Sequence, residues 1–326
     1  MKLDLSVSIV ICTYNGLSRL PETLDFIVKQ KSKISFELII VDNNSSDFTN
    51  DFVKEYLKDS EIDWKIVSET KAGLSYARWR GIEESKYELV LFCDDDNHLA
   101  ENYIEIGAFK FSNNPNLGIL GGLGSPKFES QKPTWFDDFS HSYAVGSLGK
   151  EPGIQAKGSW HYGAGCFFRK SALIQLKLLG FKSVLSDRKG GDLSSGGDVE
   201  LCYAVQLLGF DLAFDPTLRF DHFIEAHRLD WDYYLKLNRG IASSFPLLES
   251  YQILSFNSRT AFMFHLIKIL IMTMSRILKL KFTNKPTLHE KVNYEFMKDS
   301  LKVFKRNFNP TIFAFDKNRE FFRAFV

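Results

Sequence analysis

The sequence lacks the charge imbalance that marks most nucleic-acid-binding proteins. Its 326 residues carry 41 lysines and arginines against 40 aspartates and glutamates, a net charge of +1. Without a strong global field, nothing draws the chain to nucleic acid, and we expect no such partner. Low-complexity segments and internal repeats are also absent from the sequence. With 44% hydrophobic and 25% charged residues, the chain can build a large globular core.

Cysteine is scarce, and its four positions form no CxxC pair. Cys12, Cys93, Cys166 and Cys202 each lie inside an apolar run, which predicts buried thiols in a reducing compartment rather than disulfides or a metal site. The first residues, MKLDL, show none of the features of a signal peptide. No run of about 18 uncharged apolar residues occurs, which argues against a membrane-spanning helix. We therefore expect a cytoplasmic protein.

The first 125 residues alternate between apolar segments of strand length and amphipathic segments of helix length. The predicted strands are 7–12, 36–42, 64–68, 88–93 and 117–122. Wholly apolar strands that alternate with helices indicate parallel βαβ units, buried on both faces of an α/β sheet. Residues 125–158, rich in proline and glycine, are predicted to form a long loop or small hairpin over a cleft. The pattern becomes mainly helical near residue 230, so we predict an α/β domain at 1–228 and a helical extension at 229–326.

Polar residues follow three of the predicted strands at the point where each strand ends. They are the clusters 13–16, 42–45 and 94–96. In open α/β sheets, ligands bind at the carboxyl ends of the strands, so these clusters are expected to share one site. The third cluster is three consecutive carboxylates, which are costly at a strand end unless a cation neutralises them. That cation could be a lysine, an arginine or a divalent ion such as Mg²⁺.

Six motifs, in order and spread over about residues 5–225, carry a resemblance to a known family. They are VSIVICTYNG (7–16), ELIIVDNNSSD (37–47), GLSYARWRGI (73–82), LFCDDDN (91–97), GAGCFFRKSAL (163–173) and SSGGDVELCYAVQLLGF (194–210). The chain resembles the inverting glycosyltransferases of family 2. The resemblance implies the GT-A fold, a doubly wound mixed and mostly parallel sheet, with the region beyond 228 as a C-terminal helical extension.

The resemblance also implies roles for residues on the donor side. Thr13, Tyr14 and Asn15 are similar to the first-strand loop that touches the nucleotide. Asp42 is similar to the acid that accepts a hydrogen bond from the base, typically uracil, although it could simply cap a turn. Arg78 occupies a position that often faces the diphosphate, although it could pair with a glutamate of its own helix.

The acidic residues are implied to serve the metal and the chemistry. Asp94 and Asp96 resemble an Asp-x-Asp pair that holds Mg²⁺ or Mn²⁺, with Asp94 and Asp95 also on the donor side. His222 resembles a further metal ligand of some members, with a structural histidine as the alternative. Asp198 matches the general base, with a helix N-cap as the alternative.

Other positions are less firmly tied to the motifs. Gly197 stands where the family often has Glu, so an acceptor contact is missing or supplied elsewhere. His161 and Glu200 are predicted on the acceptor side, with a structural role for His161 as the alternative. The glycine-rich segment 187–197 is predicted to be either a mobile lid or a surface loop.

The segment 259–282 is apolar on most sides and contains histidine, lysine and arginine but no acid. This composition fits a helix lying on an anionic membrane surface. The alternative is a helix packed on the α/β domain or in a dimer seam, with its lysine stems directed outward.

These observations lead to one predicted function and two alternatives. We predict metal-assisted, inverting transfer of a sugar from a nucleotide-diphosphate donor, a UDP-sugar, to the hydroxyl of a glycan or lipid-linked acceptor. The reaction would take place at the inner face of the membrane, in the assembly of cell-surface polysaccharide or glycolipid. A nucleotidyltransferase is disfavoured because CTYNGLSRL has one glycine and one arginine, too few to hold a triphosphate. A non-catalytic scaffold with the same fold is left open by Gly197.

Overall fold

The structure, a computed structural model, describes residues 5–185, 193 and 195–325. Its first half alternates strands and helices: β1 (Val7–Thr13), α1 (Leu20–Val28), β2 (Phe36–Asp42), α2 (Thr49–Leu57), β3 (Asp63–Ser68), α3 (Leu74–Glu84), β4 (Leu89–Asp94), β5 (Asn97–Leu99), α4 (Tyr103–Asn113) and β6 (Leu117–Phe128). Its second half contains α5 (Phe136–Phe139), β7 (Gly153–Ile154), β8 (Cys166–Arg169), α6 (Lys170–Leu178), α7 (Gly197–Leu207), β9 (Asp211–Ile224), α8 (Trp231–Leu248), α9 (Arg259–Lys281) and α10 (Leu288–Phe321).

These strands form one mixed sheet in the order β3-β2-β1-β4-β8-β6-β9-β5, with β7 paired to β9. The pairs among β3, β2, β1 and β4 are parallel, and so is the pair of β6 and β9. Strand β8 runs antiparallel between β4 and β6, so β4, β6 and β9 share one direction. The mixed, mostly parallel α/β sheet predicted from the sequence is confirmed.

The apolar strands form the sheet because both of its faces are covered. Strands β1, β2 and β4 are almost entirely buried, and their side chains alternate between two large apolar clusters on opposite faces. Helices α1, α2 and α4 contribute to one cluster, and α3, α6 and α7 contribute to the other. This packing fixes the strands in register, and therefore fixes where their carboxyl ends lie.

One predicted strand was too short. Strand β6 runs past 122 to Phe128, into the region predicted as a loop or hairpin, because it pairs with β9 along most of its length. Strand β9 is continuous over Asp211–Ile224, since a register shift between Gly121 and Leu123 carries the pairing past Pro216. Helix α10 continues to Phe321.

The C-terminal helices share a core with the sheet. Tyr251, Phe262 and Phe315 belong to the same apolar cluster as the strand residues Val10 and Val90. Phe262 of α9 and Phe315 of α10 stack with ring centroids 3.9 Å apart. The helices therefore cover one face of the sheet, and the boundary predicted at 228/229 stays a prediction.

Helix α9 is anchored by two buried residues, Phe262 and Leu266, and leaves most of its remaining surface open. Its mean hydropathy reaches 1.6 over an 18-residue window, of which 11% is buried. By length and composition α9 could cross a membrane. The expectation that no helix spans a membrane rested on the lack of an uncharged apolar run, and Lys268 and Arg276 do interrupt this one, so it stays a prediction.

Candidate active site

A cavity of about 930 Å³ opens at the carboxyl ends of β1, β2 and β4. Nine of the predicted site residues line it: Thr13, Tyr14, Asn15, Arg78, Asp94, Asp95, Asp96, Asp198 and His222. Three do not: Asp42, His161 and Glu200. The sheet thus brings together strand-end residues up to 209 positions apart, from Thr13 to His222, as the parallel topology requires.

One end of the cavity is formed by Tyr14, Asn43, Asn44 and Gly73. The buried Asn43 side chain ties the loop after β2 to the loop before α3. Its amide donates to the Glu69 carbonyl at 2.7 Å and the Lys71 carbonyl at 2.9 Å, and its oxygen accepts from the Gly73 amide at 2.8 Å. Because these bonds hold the wall in place, the half-exposed Tyr14 ring faces a preformed surface.

Asp42 does not line this cavity, and the contact with a base that the sequence suggested for it stays a prediction. Its carboxylate accepts hydrogen bonds from the Ser45 amide at 3.1 Å and the Asn50 side chain at 3.0 Å. The residue is 4% exposed and caps the turn after β2, the alternative that the sequence left open.

Two arginines supply the positive charge that the three consecutive carboxylates require. The guanidinium of Arg19 binds Asp95 with two nitrogens, each 3.0 Å from one carboxylate oxygen. Thr13 donates to the same carboxylate at 2.6 Å. Burial raises the pKa of Asp95, and Arg19 opposes that shift. Asp95 therefore fixes the β1 loop to the start of α1.

Asp96 is held by His222 near the end of β9 and by Arg228 just after it. Arg228 Nη1 donates to Asp96 Oδ2 at 2.7 Å, and His222 Nε2 lies 3.2 Å from the same oxygen. Asn97 donates to Oδ1 at 3.2 Å. Although burial acts in the opposite direction, His222 and Arg228 hold the pKa of Asp96 well below its usual range. The carboxylate is therefore ionised and already paired.

The side chains at this end of the cavity have ligand atoms of the types that divalent metal ions prefer. Asp96 and His222 offer one carboxylate and one imidazole, a donor set that suits Mn²⁺, and Asp94 lies on the same cavity wall. Within the described residues, no group of three or more such side chains already converges on one point. Mg²⁺ and Mn²⁺ sites that complete their shells with phosphates and water need fewer protein ligands. Arg228 shares Asp96 Oδ2, so it would compete with an ion there.

Asp198 lies at the second position of α7, on the cavity wall. Its Oδ2 accepts from the Gly163 amide at 2.7 Å, and its Oδ1 accepts from the Val199 amide at 2.9 Å. The helix begins at Gly197, with Gly196 as its N-cap, so the N-cap alternative for Asp198 is excluded. Gly163 allows close packing here, since a Cβ would lie 2.8 Å from Arg78 Nη2. The positive end of the helix dipole stabilises a negative charge at this position.

The two predicted acceptor residues are buried and do not line the cavity, so their acceptor-side roles stay predictions. His161 is 1% exposed and stacks on Phe214, with ring centroids 5.6 Å apart. Burial lowers the pKa of His161 to about 3, so its ring is neutral. Glu200 accepts from the Tyr251 hydroxyl at 2.6 Å and from the Val184 amide at 2.7 Å, away from the cavity. Of the segment 187–197, residues 187–192 and 194 lie outside the described residues.

Sequence reasoning missed several residues that build the site. Arg19 and Arg228 are separated from their partners by 76 and 132 positions, and no local pattern marks a buried arginine. Asn43 was passed over as an ordinary turn residue. The wall contributed by α8 was missed because its helix belongs to the segment treated as an extension. In the sequence, the run of three consecutive carboxylates was the signal that cationic partners had to exist.

The sequence model described as glycosyl transferase family 2 matches residues 8–177, just over half of the chain. The chain belongs to this family. The glycosyltransferase is 23% identical to the glucosyl-dolichyl phosphate glucuronosyltransferase of Haloferax volcanii. The alignment spans 233 residues, 70% of this chain and 72% of the relative. It is 31% identical to the Staphylococcus aureus poly(ribitol-phosphate) β-N-acetylglucosaminyltransferase TarP over 122 residues, 36% of each chain. Its match to the pneumococcal glycosyltransferase GlyA spans only 15% of that protein.

Solved structures show the same fold. The glycosyltransferase superposes on residues 1–349 of S. aureus TarS in complex with UDP-GlcNAc with a TM-score of 0.54 and 16% identity, covering 98% of this chain and 90% of that one. The mannosyltransferase PcManGT of Pyrobaculum calidifontis, in complex with GDP-Man and Mn²⁺, gives 0.54 and 16%, over 97% and 75%. The GT-A fold and the C-terminal helices predicted for the glycosyltransferase are thereby confirmed.

Proposed function

We propose that this glycosyltransferase moves a sugar from a UDP-sugar to the hydroxyl of an acceptor, with inversion at the anomeric carbon. The observation that carries the proposal is that Asp198 lines the same cavity as Asp94, Asp96 and the wall formed by Tyr14, Asn43, Asn44 and Gly73. A single-displacement transfer needs a base, carboxylates that can hold a metal ion on the diphosphate, and a surface for the nucleotide. Structural neighbours crystallised with UDP-GlcNAc and GDP-Man support a nucleotide-sugar donor.

Asp198 is assigned the role of general base. Its two oxygens each accept one backbone hydrogen bond, which fixes the carboxylate while leaving lone pairs for a proton. An acceptor hydroxyl bound against Asp198 would give up its proton as its oxygen attacks the anomeric carbon. Attack from the side opposite the departing nucleotide inverts the configuration. The partly buried hydrogen bond from the Gly163 amide keeps the Asp198 carboxylate from turning away between turnovers.

The departing UDP gains negative charge as the bond to the sugar breaks. Mn²⁺ or Mg²⁺, held by Asp96 and Asp94 with His222, would supply Lewis-acid stabilisation of that charge. Arg78, buried at the cavity wall, adds a fixed positive charge on the donor side. The Mn²⁺-containing complexes of structural neighbours support this assignment.

We further propose that the protein works at the cytoplasmic membrane surface, on a glycan or lipid-linked acceptor. Helix α9 exposes Phe264, Ile271 and Leu278, and the helix carries basic but no acidic residues. An apolar face flanked by cations binds anionic bilayers and is released by salt. Co-sedimentation with phosphatidylglycerol vesicles should be strong, and Ile271→Glu should abolish it. Equal binding by that variant would exclude α9 as the contact.

Two measurements test the reaction. UDP release with a panel of UDP-sugars and Mn²⁺ should exceed background for at least one donor, whereas a non-catalytic scaffold would release none. Asp198→Asn should lose transfer by at least about 10²-fold, since a positioned base contributes that much, and should still bind UDP.

Asp96→Ala should instead lose the Mn²⁺-dependent part of UDP affinity in calorimetry. Unchanged turnover by Asp198→Asn would remove the base assignment, and unchanged UDP affinity in Asp96→Ala would remove the ligand assignment.

A further inference from the structure

The cavity does not end at the donor and acidic residues, because α8 extends it with an apolar wall. Leu237, Ile241, Phe245 and Leu248 of α8 line it, spaced three to four positions apart, so they share one face of the helix. Tyr233 and, from α10, Phe296 complete the group. Phe245 and Phe296 meet edge to face with ring centroids 5.7 Å apart. We call these six residues the apolar annex.

The annex adjoins the catalytic carboxylate. Ser244 of α8 donates a hydrogen bond to the Ser195 carbonyl, and Gly196 packs on the Ser244 side chain. These are the residues immediately before the turn of α7 that carries Asp198. A molecule whose hydroxyl reaches Asp198 therefore extends directly along α8.

The six annex residues suit hydrocarbon better than a second sugar. A sugar-binding wall needs several polar side chains directed at hydroxyls, because unpaired buried hydroxyls are costly. Asn238, Glu249 and Gln252 also line the cavity and Ser244 is bonded to the backbone, but the annex itself offers aliphatic and aromatic side chains, with the Tyr233 hydroxyl as their one polar group. Phe245 is 48% exposed, so part of this apolar surface faces solvent when nothing is bound. Hydrocarbon is the ligand chemistry that gains most from such a surface.

The annex also lies next to the helix that faces the membrane in our proposal. Glu249, which lines the cavity after α8, has a carboxylate oxygen 2.9 Å from Nε2 of His265 on α9. A chain leaving the bilayer beside α9 would meet the annex before it meets Asp198.

We propose that the apolar annex binds the hydrocarbon part of an amphiphilic acceptor whose hydroxylated head is presented to Asp198. The inference rests on the proposed function and narrows its acceptor class to glycosides or glycan phosphates carried on a hydrocarbon chain. The hydrocarbon chain could be an isoprenoid or an acyl or alkyl chain, since both are long and apolar.

Chain length is the variable that tests it. We would titrate the protein with n-hexyl, n-octyl and n-decyl β-D-glucopyranoside, each below its critical micelle concentration and without vesicles, in the presence of UDP and Mn²⁺. Affinity should rise by up to about fourfold for each methylene that becomes buried. Equal affinity for the three glucosides would overturn the inference, and so would a gain from a longer sugar head instead of a longer alkyl chain. Comparing decyl with farnesyl glucoside distinguishes the two carriers.

Matched variants locate the effect. Phe296→Ala should weaken decyl glucoside binding about tenfold, whereas Phe313→Ala, an exposed phenylalanine on the same helix and outside the cavity, should leave it unchanged. Ile241→Trp should fill the annex and remove the chain-length dependence. Equal losses from both phenylalanine variants, or an unchanged dependence in Ile241→Trp, would refute the site. UDP affinity serves as the separate readout: intact UDP binding without chain-length dependence refutes only this inference, whereas no UDP binding by the unaltered protein refutes the proposed function.

Discussion

Replacing Arg228 with leucine should leave Asp96 ionised and buried without its nearest cationic partner. The side chains of both residues are less than 10% exposed, and Arg228 Nη1 lies 2.7 Å from the carboxylate. Breaking a buried ion pair by removing one partner costs about 3–5 kcal/mol, because an uncompensated charge remains. His222 lies 3.2 Å from the same oxygen and offsets part of that loss, which favours the lower end of the range. At about 2 °C per kcal/mol for a large domain, a loss near 3 kcal/mol should lower the melting temperature by roughly 6 °C.

The stability of Arg228→Leu with and without Mn²⁺ tests whether Asp96 can bind a metal ion. Without Arg228, Asp96 Oδ2 is open to an ion, and Mn²⁺ at 100 times its Kd should restore about 2.7 kcal/mol. The unaltered protein should gain less, because the guanidinium competes for that oxygen. Urea unfolding followed by circular dichroism, with and without Mn²⁺, measures both effects. Arg239→Leu is the control: it removes an exposed α8 arginine, 3.4 Å from Asp299, and should cost under about 1 kcal/mol.

Two outcomes would refute this reasoning. Arg228→Leu as stable as the unaltered protein in the absence of metal would mean that Asp96 does not depend on the arginine. Equal stabilisation of both proteins by Mn²⁺ would mean that Arg228 and the ion do not share the carboxylate.

Two further changes test the packing and the electrostatics. Gly163→Ala would put a Cβ 2.8 Å from Arg78 Nη2 and 3.1 Å from the Asp198 Cβ, so kcat should fall about 100-fold as the base is displaced, which UDP release would measure. Asp215→Asn should cost roughly 1–2 kcal/mol at pH 7 without affecting the cavity, because the carboxylate pairs with Lys110. Although burial acts in the opposite direction, Lys110 lowers the pKa of Asp215, so its contribution is present above about pH 3.9 and is lost as the pH falls further. Urea unfolding at pH 7 and pH 3 should show the gap closing.

Normal turnover by Gly163→Ala would show that the close approach is not what fixes Asp198. A stability gap for Asp215→Asn that stays the same at pH 3 would show that the ion pair is not its source.

The sheet could be predicted because its signal is local. Each of β1, β2 and β4 is a short, mostly apolar segment that ends in polar residues, and parallel topology places those ends at one edge. The strand-end residues Thr13 and Asp94 to Asp96 could be placed on the cavity for this reason. Arg78, Asp198 and His222 were instead placed by the resemblance of their motifs to the family. Asp42 differs from the other strand-end residues only in the direction of its side chain, which turn geometry decides and which sequence spacing does not reveal.

The parts that could not be predicted depend on contacts between distant segments. Whether His161 faces a ligand or the core is decided by Gly121, whose missing side chain leaves room for the ring. Glu200 is drawn inward by Tyr251, a residue of the C-terminal region 51 positions away. The single long β9 likewise exists only because β6 is there to pair with it.

The Phe262–Phe315 stack and the apolar cluster it belongs to mean that the C-terminal helices are not an exchangeable module. A protein cut at residue 228 would expose one face of its sheet and lose the wall along α8, so such a truncation should aggregate rather than report on catalysis. If a bilayer displaced α9, the residues of this cluster, which include residues of α7, would have to shift with it. Membrane binding and turnover would then change together.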